Sequence, residues 1–124
     1  MRLLLDTHVI LWWLLDDPGL SDAVKDRIES DAEVYVSVAS AWELAIKQAT
    51  GKLSAPVDIV QAVGGSGLVH LPIRFDHAVV AGNLPPIHKD PFDRMLIAQA
   101  TCEGLKLLTR DAQILKYDVE VEQV

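Results

Sequence analysis

The chain opens with a short, continuously apolar run that stops at an aspartate. Leu3, Leu4 and Leu5 follow Arg2, and Asp6 comes directly after them. A short apolar run without alternation is typical of a strand that is buried on both faces, as in a parallel sheet. Parallel strands need long crossover connections, usually helices, and these cover both faces of the sheet. The start of the chain therefore favours an α/β fold.

Helical patterns separate this run from later strand-like segments, with breaks at Pro18-Gly19, Gly51 and Gly104. The pattern predicts strands at residues 2–5, 34–38, 68–71, 105–109 and near 119–121, and helices at residues 8–15, 21–30, 39–50, 56–63, 75–82, 91–103 and from Asp111 onward. Alternating strands and helices predict a three-layer α/β/α architecture around a central, mainly parallel sheet of about five strands. No linker or repeat interrupts the 124 residues, so a single domain over residues 1–124 is expected.

The composition favours a globular protein of the cytoplasm. Apolar residues make up 50% of the chain and charged residues 23%. Cys102 is the single cysteine, so no internal disulfide can form, and its helical setting favours a reduced compartment. No signal-peptide cleavage pattern follows the apolar start. The longest apolar stretch, residues 9–15, is far shorter than the roughly 18 residues that suggest a membrane span. We therefore expect a soluble, cytoplasmic protein without a membrane anchor.

The net charge is −7, from 11 lysines and arginines against 18 aspartates and glutamates. Taken alone, this charge argues against a nucleic-acid-binding protein, because phosphate contacts normally come from basic patches. Bound cations would reverse the local charge if several carboxylates held metal. The total charge leaves the question of nucleic-acid binding open.

Four acidic residues occupy positions where water does not easily solvate them. Asp6 and Asp111 stand at or just after the carboxyl ends of predicted strands, which is where open parallel sheets bind ligands. Glu43 and Asp93 lie on predicted helices whose faces are largely apolar. Burying an unpaired charge is costly, so these side chains need partners. Together they predict one carboxylate cluster.

Each of these residues also has a purely structural explanation. Asp6 and Asp111 can cap the helices that follow them. Asp93 stands in a first helical turn, where free backbone amides favour a carboxylate. Glu43 can pair with Lys47, one turn further along. Capping does not explain, however, why two strand ends and two apolar helix faces all carry an acidic residue.

A carboxylate cluster without a cysteine ligand or a histidine pair at ligand spacing favours a hard cation. Mg²⁺ is the expected ion, with Mn²⁺ as a substitute. Repulsion among the carboxylates disfavours the empty site, and a cation relieves it. Such a site suits phosphodiester hydrolysis, because the metal polarises a phosphate oxygen and activates water.

Four motifs resemble, in order and spacing, those of the PIN-domain family. They are LLDTH at residues 4–8, SAWELAIK at 40–47, HKDPFDRMLIAQA at 88–100 and LTRD at 108–111. The third is the most specific, and the resemblance extends over essentially the whole chain. It is closest to the branch that contains VapC-type toxins of bacterial type II toxin–antitoxin pairs.

This resemblance implies a PIN-like fold and an Mg²⁺-dependent endoribonuclease that leaves 5′-phosphate and 3′-hydroxyl ends. The family's acidic positions fall in order on Asp6, Glu43, Asp93 and Asp111, as catalytic residues and metal ligands, with Glu43 acting directly or through water. It further implies an RNA substrate, a cognate antitoxin that places a basic side chain in the acidic pocket, and a homodimer. The apolar residues 9–15 would suit either protein contact, and would equally suit a core helix.

Further residues of these motifs are accessory candidates: Asp90, Thr7, Thr109, Arg94, Arg110, Lys47 and His88. Asp90 is interpreted as a helix cap that also touches metal-bound water. The two threonines would bond metal ligands or phosphate, or act as local caps. The two arginines would contact RNA phosphates or pair with neighbouring acids. Lys47 would orient Glu43, and His88 would face the substrate or be satisfied by backbone groups. The three tryptophans are expected in the core or at an interface rather than stacked on bases.

Other functions fit the motifs less well. A response-regulator receiver needs a phosphorylatable aspartate at a central strand end and a lysine at a later one, and residues 38–39 and 121–122 supply neither. A haloacid-dehalogenase-type phosphatase needs two aspartates separated by one residue, whereas Asp6 is followed by Thr7 and His8. A non-catalytic PIN-fold interaction module would have lost an acidic position, and none is lost. A housekeeping RNA-processing nuclease remains an alternative to a toxin.

Overall fold

The fold is built on a five-stranded sheet that is parallel throughout. The computed structural model describes residues 2–30, 33–54 and 58–124. The strands are β1 (Leu3–Leu5), β2 (Val34–Ser37), β3 (Val69–Leu71), β4 (Lys106–Thr109) and β5 (Val121–Gln123). They lie in the order β3-β2-β1-β4-β5. The chain therefore builds outward in one direction from β1 and later in the other, and the reversal falls between β1 and β4. In open α/β sheets this is the position of the ligand-binding crevice.

Within the described residues, six α-helices connect the strands. They are α1 (Thr7–Leu14), α2 (Asp22–Ser30), α3 (Val38–Ala49), α4 (Ile59–Gly64), α5 (Phe75–Asn83) and α6 (Pro91–Glu103), and a 3₁₀ turn (Ile114–Lys116) precedes β5. Side-chain caps fix several of their starts: Ser37 accepts a hydrogen bond from the Ala39 amide, and Asp58 and Asp90 cap α4 and α6. Gly104 ends α6 in the left-handed conformation, at φ 66°, which glycine adopts without strain.

Alternate residues of β1 enter two separate cores. Leu3 and Leu5 pack in one cluster with side chains from α1 to α4, whereas Leu4 packs in a second cluster with Leu96 and Ile97 of α6. Successive side chains of a strand point to opposite faces, so the two clusters lie on opposite faces of the sheet. The predicted three-layer α/β/α fold with a parallel sheet of five strands is confirmed.

The apolar segment that begins at Val9 belongs mainly to the core. Val9 and Ile10 are completely buried, and the following apolar residues of α1 pack partly against the same cluster. Leu15, after the last helical residue, is the exposed end of this segment. The segment therefore does serve as a core helix, and a protein contact at its exposed end stays a prediction.

The predicted element boundaries differ from the observed ones in a few places. Val38 begins α3 instead of ending β2, because Ser37 caps the helix one residue earlier. The last strand lies at Val121–Gln123 rather than near residues 119–121. Just before it, the carbonyl oxygen of Glu120 accepts a hydrogen bond from the Leu107 amide. The helix predicted from Asp111 is the 3₁₀ turn at Ile114–Lys116. The predicted start of the fourth helix, at residue 56, lies outside the described residues.

None of the helices in the described ranges combines the length and the apolar composition that are needed to cross a bilayer.

Candidate metal centre

The two strand-end aspartates meet across the crevice between β1 and β4, and Thr109 joins them. The buried Thr109 hydroxyl donates a hydrogen bond to Asp6 Oδ2 and accepts one from the Asp111 amide, at 3.0 Å. The Asp6 amide donates to the Leu108 carbonyl at 3.0 Å, which continues the sheet pairing to the last residue of the strand. Thr109 therefore fills both of the roles considered for it: it bonds the candidate ligand Asp6, and it caps the backbone locally at Asp111.

Capping and clustering use different oxygens of the same carboxylates. Asp6 Oδ1 accepts a hydrogen bond from the His8 amide at 3.0 Å and caps α1, while Oδ2 faces Thr109. Asp111 Oδ1 accepts from the Gln113 amide at 2.9 Å, while Oδ2 faces His88 at 2.8 Å. The structural explanation and the cluster explanation are therefore compatible for both residues.

His88 lies between Asp93 and Asp111. Its Nε2 atom is 3.0 Å from Asp93 Oδ2 and 2.8 Å from Asp111 Oδ2. Its Nδ1 atom accepts a hydrogen bond from the Asp90 amide at 3.2 Å, and its own amide donates to the Tyr117 hydroxyl at 2.7 Å. An accepting Nδ1 leaves the imidazole proton on Nε2, which donates it to the carboxylates. His88 therefore joins α6 to the segment that follows β4.

Glu43 reaches the cluster from α3 and leaves one oxygen unpaired. Its Oε2 atom is 2.9 Å from Lys47 Nζ, one helical turn away. Its Oε1 atom is, among the described residues, a buried side-chain oxygen with no hydrogen-bond partner. Buried polar atoms are rarely left without a partner, and those that are mark sites for an ion, a water molecule or a substrate. Lys47 thus pairs with one oxygen of Glu43 and leaves the other available.

The carboxylates are close enough to change one another's ionisation. Burial, and then the negative charges of Asp6, Asp90 and Glu43, raise the pKa of Asp93 from 3.8 to about 7. Burial alone would also raise the pKa of Asp6, but hydrogen bonds from His8 and Thr109 outweigh it and lower that pKa. Asp6, Glu43 and Asp93 therefore lie in one electrostatic cluster, to which Asp90 also contributes, and Asp111 joins it through its contact with His88.

The donor set fits a divalent cation. Ligand atoms of His88, Asp93 and Asp111 all lie within 4.8 Å of one another. Asp6 is joined to Asp111 through Thr109, and Glu43 Oε1 is a further oxygen without a partner. Carboxylate oxygens favour hard cations, and an imidazole is also accepted by Mn²⁺. Burial and the repulsion of neighbouring carboxylates raise the pKa of Asp93, and a cation would relieve the repulsion.

The other accessory candidates lie next to the cluster in structural roles. Asp90 Oδ1 accepts from the Phe92 and Asp93 amides at 2.8 and 3.3 Å and caps α6, as predicted. Thr7 is buried, and its hydroxyl is 2.9 Å from the Ser40 hydroxyl, so it ties α1 to α3. Pro91 occupies the first turn of α6, where its missing amide hydrogen costs nothing.

Arg94 has partners that the sequence did not indicate. Its guanidinium donates to the carbonyl oxygens of Ala81, Leu84, Pro85 and His88 at 2.9 to 3.2 Å. Carbonyl oxygens, rather than the neighbouring acids that were considered, are its partners in the described residues, and a contact with RNA phosphates stays a prediction. Arg94 therefore holds the loop between α5 and α6 in place, and with it the backbone of His88.

We expect Arg94→Lys to lower the free energy of unfolding by about 2 kcal/mol, because one ammonium group cannot reproduce the fork that reaches four carbonyl oxygens. Urea unfolding at constant m-value measures the change. Arg74→Lys is the matched control, since Arg74 is exposed and pairs only with Asp76 among the described contacts. Equal unfolding free energies for the two variants would contradict this role of Arg94.

The aromatic residues divide into two groups. Trp12 and Trp13 pack partly against the core, as expected. Trp42 lies on the outer side of α3, is 60% exposed, and places its ring 5.3 Å from that of Phe92 in an edge-on contact. Trp42 is therefore not a core residue. Arg110 lies over the Trp12 ring at 4.4 Å instead of pairing with a neighbouring acid.

His88 is the site residue whose importance the sequence understated. It was considered either a substrate contact or a loop residue satisfied by backbone groups. Its backbone contacts do exist, but Nε2 also joins two candidate ligands, one of them 23 positions away in the chain. The only signal in the sequence is that His88 belongs to the same motif as Asp93.

Comparisons with known proteins agree with this fold and these motifs. The family model of the PIN domain matches residues 3–120. Ribonuclease VapC22 of Mycobacterium tuberculosis (strain ATCC 25618 / H37Rv) is 33% identical over 122 residues, which cover 90% of this chain and 88% of that protein.

Two solved structures have the same fold over nearly their whole length. The DNA-bound VapBC of Salmonella typhimurium superposes with a TM-score of 0.75 at 19% identity, covering 99% of this chain and 98% of that chain. A toxin–antitoxin complex from Klebsiella pneumoniae superposes with a TM-score of 0.67 at 18% identity, covering 98% and 96%. With the family match over residues 3–120, these findings show that the chain belongs to the PIN-domain family, in the branch that contains the VapC proteins.

Proposed function

We propose that this chain is a metal-dependent endoribonuclease and the toxin of a type II toxin–antitoxin pair. The observation that carries the proposal is the meeting of acidic side chains from two strand ends and two helices, with one buried carboxylate oxygen left unpaired. The similarity to a protein named ribonuclease VapC22 supports the reaction class. The similarity to VapBC and other toxin–antitoxin complexes supports the biological role.

In this proposal Asp6, Asp93 and Asp111 hold Mg²⁺, or Mn²⁺ as its substitute, and Glu43 completes the site directly or through water. The cation supplies the Lewis acidity that phosphodiester hydrolysis requires. Glu43 Oε1 is free to accept a hydrogen bond, so we assign it to orient the attacking water. Lys47 fixes this carboxylate by pairing with its other oxygen.

The remaining groups of the site orient the candidate ligands. Thr109 holds Asp6 and the backbone of Asp111 in one arrangement. His88 bridges the two aspartates from α6 and from the segment after β4. Products with 5′-phosphate and 3′-hydroxyl ends are expected.

The proposed partners are RNA, an antitoxin encoded beside the gene, and a second copy of the chain. An antitoxin that inserts a basic side chain into the carboxylate cluster would satisfy the charge that a cation otherwise balances. A cytoplasmic location remains a prediction from the single, unpaired Cys102.

Cleavage of a mixed pool of RNA tests the reaction. We expect cleavage with Mg²⁺ or Mn²⁺, none with EDTA, and recovery when excess metal is restored. Sequencing adapters that require a 5′-phosphate would capture the products. Cleavage that continues in EDTA would contradict a metal-dependent mechanism, and no cleavage under any condition would favour a non-catalytic interaction module.

Growth of a bacterial host tests the toxin role separately. Induction of the chain alone is expected to arrest growth, and co-expression of the neighbouring gene is expected to restore it. Normal growth while active enzyme accumulates would contradict the toxin role and favour a housekeeping RNA-processing nuclease.

A further inference from the structure

Tyr117 joins the core to the loop that carries His88, although it lies outside the four sequence motifs. Its ring is buried, at 7% exposure, in the cluster that contains Leu4. Its hydroxyl accepts a hydrogen bond from the His88 amide at 2.7 Å and donates one to the Pro85 carbonyl oxygen at 2.8 Å. A buried side chain that the proposed reaction does not use thus bonds the backbone of a site residue.

The segment between Asp111 and Tyr117 is anchored in the same core. Ile114, in its middle, is completely buried. The Ile114 amide donates to the Asp111 carbonyl oxygen at 3.1 Å, and the Tyr117 amide donates to the Ile114 carbonyl oxygen at 3.1 Å. These bonds fix the Asp111 carboxylate and the Tyr117 hydroxyl relative to each other. His88 is held between them, by its Nε2 atom at 2.8 Å from Asp111 Oδ2 and by its amide at Tyr117.

Removal of this hydroxyl would affect His88 more than the loop as a whole. The Pro85 carbonyl oxygen also accepts from the Ile87 amide, at 2.8 Å, and from Arg94, at 3.1 Å, so it keeps two partners. Within the described residues, the His88 amide has the Tyr117 hydroxyl as its hydrogen-bond acceptor and no other. A phenylalanine would fill the same space in the core. The specific consequence of losing the hydroxyl therefore falls on His88.

The place of His88 matters because one imidazole N–H serves two carboxylates. The Nε2 atom lies 3.0 Å from Asp93 Oδ2 and 2.8 Å from Asp111 Oδ2. These carboxylates belong to α6 and to the segment after β4, so the imidazole sets the distance between two candidate ligands. Hydrogen bonds weaken steeply when their length or angle departs from the optimum. A shift of the His88 backbone would therefore weaken these contacts and loosen the candidate ligands.

We propose that Tyr117 is a positioning residue of the metal centre. Its hydroxyl fixes the backbone of His88, and the imidazole then holds Asp93 and Asp111 at the spacing that the cation requires. The inference rests on the proposed metal-dependent function and adds to it a residue that contacts neither the ion nor the RNA. The effect of Tyr117 on the site therefore passes through His88. Polar groups that orient metal ligands are typically worth about 10- to 100-fold in metal affinity or activity.

Binding of Mn²⁺ to the metal-free chain, followed by the electron paramagnetic resonance of the free ion, tests the proposal without RNA. Tyr117→Phe is expected to weaken Mn²⁺ binding about tenfold. In cleavage of a labelled oligonucleotide it is expected to lower kcat about tenfold and to leave KM for RNA within about twofold of the wild type. Tyr35→Phe is the matched control and should change none of these quantities. Tyr35 packs against the same core cluster, and its hydroxyl contacts Glu33 at 3.4 Å, before β2 and away from the site.

A double-mutant cycle tests whether the effect passes through His88. His88→Ala alone is also expected to weaken Mn²⁺ binding about tenfold. Tyr117→Phe should cause no further loss when His88→Ala is present, because no imidazole is then left to position. Losses that multiply in the double variant would show that Tyr117 acts on the metal centre by another route, and the proposal would be wrong.

Two measurements separate positioning from a purely structural role. Urea unfolding in EDTA gives the stability of each variant. If Tyr117→Phe is less stable but binds Mn²⁺ and cleaves RNA like the wild type, the hydroxyl is only structural and the proposal is contradicted. Amide hydrogen exchange of the wild type needs no variant. The His88 amide is expected to exchange at least about tenfold more slowly than in an unstructured peptide. Exchange at the unstructured rate would contradict the hydrogen bond to Tyr117.

The outcomes distinguish this proposal from the proposed function. A wild type that binds Mn²⁺ but cleaves no RNA contradicts the ribonuclease function, and the Mn²⁺ affinities of the variants still decide the role of Tyr117. A wild type that cleaves RNA, with a Tyr117→Phe variant that binds Mn²⁺ equally well, contradicts only the role of Tyr117. A wild type that binds no Mn²⁺ contradicts both proposals.

Discussion

Replacing Asp93 by asparagine is expected to lower the rate of RNA cleavage by about 10³-fold or more. Asparagine keeps the size of the side chain but removes the charge that would hold the cation. Asp93 Oδ2 also accepts the contact from His88 Nε2, so one substitution removes a proposed ligand and loosens another part of the cluster. Initial rates on a labelled oligonucleotide, at saturating Mg²⁺ and at saturating Mn²⁺, measure the change.

Substitutions at two other aspartates serve as controls for the Asp93→Asn rate. Asp90→Asn should retain most of the activity, because asparagine caps a helix nearly as well as aspartate and the carboxylate of Asp90 is proposed to act only through water. Asp118→Asn changes an exposed carboxylate outside the cluster and should leave the rate unchanged. Asp93→Asn activity within tenfold of the wild type would contradict the assignment of Asp93 as a catalytic ligand.

The sequence predicted the parallel α/β architecture well because the strands are apolar runs with clear breaks between them. β1 is completely buried, and its alternate residues enter two different cores, which is why no alternation is visible in the sequence. The boundaries were less predictable where one side chain decides them. Ser37 caps α3 and thereby moves Val38, a residue with high strand propensity, into the helix.

The four acidic positions could be predicted because strand ends and apolar helix faces are unusual places for an acidic residue. The sequence could not show that Asp6 and Asp111 use one oxygen for capping and the other for the cluster. Capping and metal binding had looked like alternatives, although a carboxylate has enough acceptor positions for both.

The roles of the loop residues could not be predicted, because their partners are distant in the sequence or belong to the backbone. Within the described residues the Arg94 guanidinium donates only to carbonyl oxygens, and no sequence pattern specifies such partners. His88 meets Asp111 only after the sheet has brought the end of β4 beside α6. Trp42 has a large apolar side chain of the kind usually found in a core, but it lies on an exposed face of its helix.

The same Asp93→Asn variant is expected to be more stable than the wild type when metal is removed. Burial and neighbouring carboxylates raise the pKa of Asp93 from 3.8 to about 7. The folded chain therefore binds this proton more tightly than the unfolded chain does. Stability falls as pH rises from about 4 toward 7, and the full cost is present above pH 7. Asparagine cannot ionise, so it avoids this cost.

At pH 8 in EDTA we expect Asp93→Asn to raise the free energy of unfolding by about 1–3 kcal/mol. The gain is smaller than the full pKa shift would give, because the side chain is 17% exposed and solvent screens part of the repulsion. At pH 5 the difference should be less than half as large, and below about pH 4 it should vanish, because Asp93 is then protonated in both the folded and the unfolded wild type.

Addition of Mn²⁺ should reverse the order of the two proteins. The folded wild type gains stability as the ion binds, by an amount that grows with the logarithm of the metal concentration, whereas the variant has lost a proposed ligand and gains less. Urea unfolding at pH 8 across a Mn²⁺ titration should therefore give two curves that cross. Because this measurement needs no RNA, it tests the metal centre independently of cleavage. Parallel curves would show that Asp93 does not contribute to metal binding, even if the chain proved to be a ribonuclease.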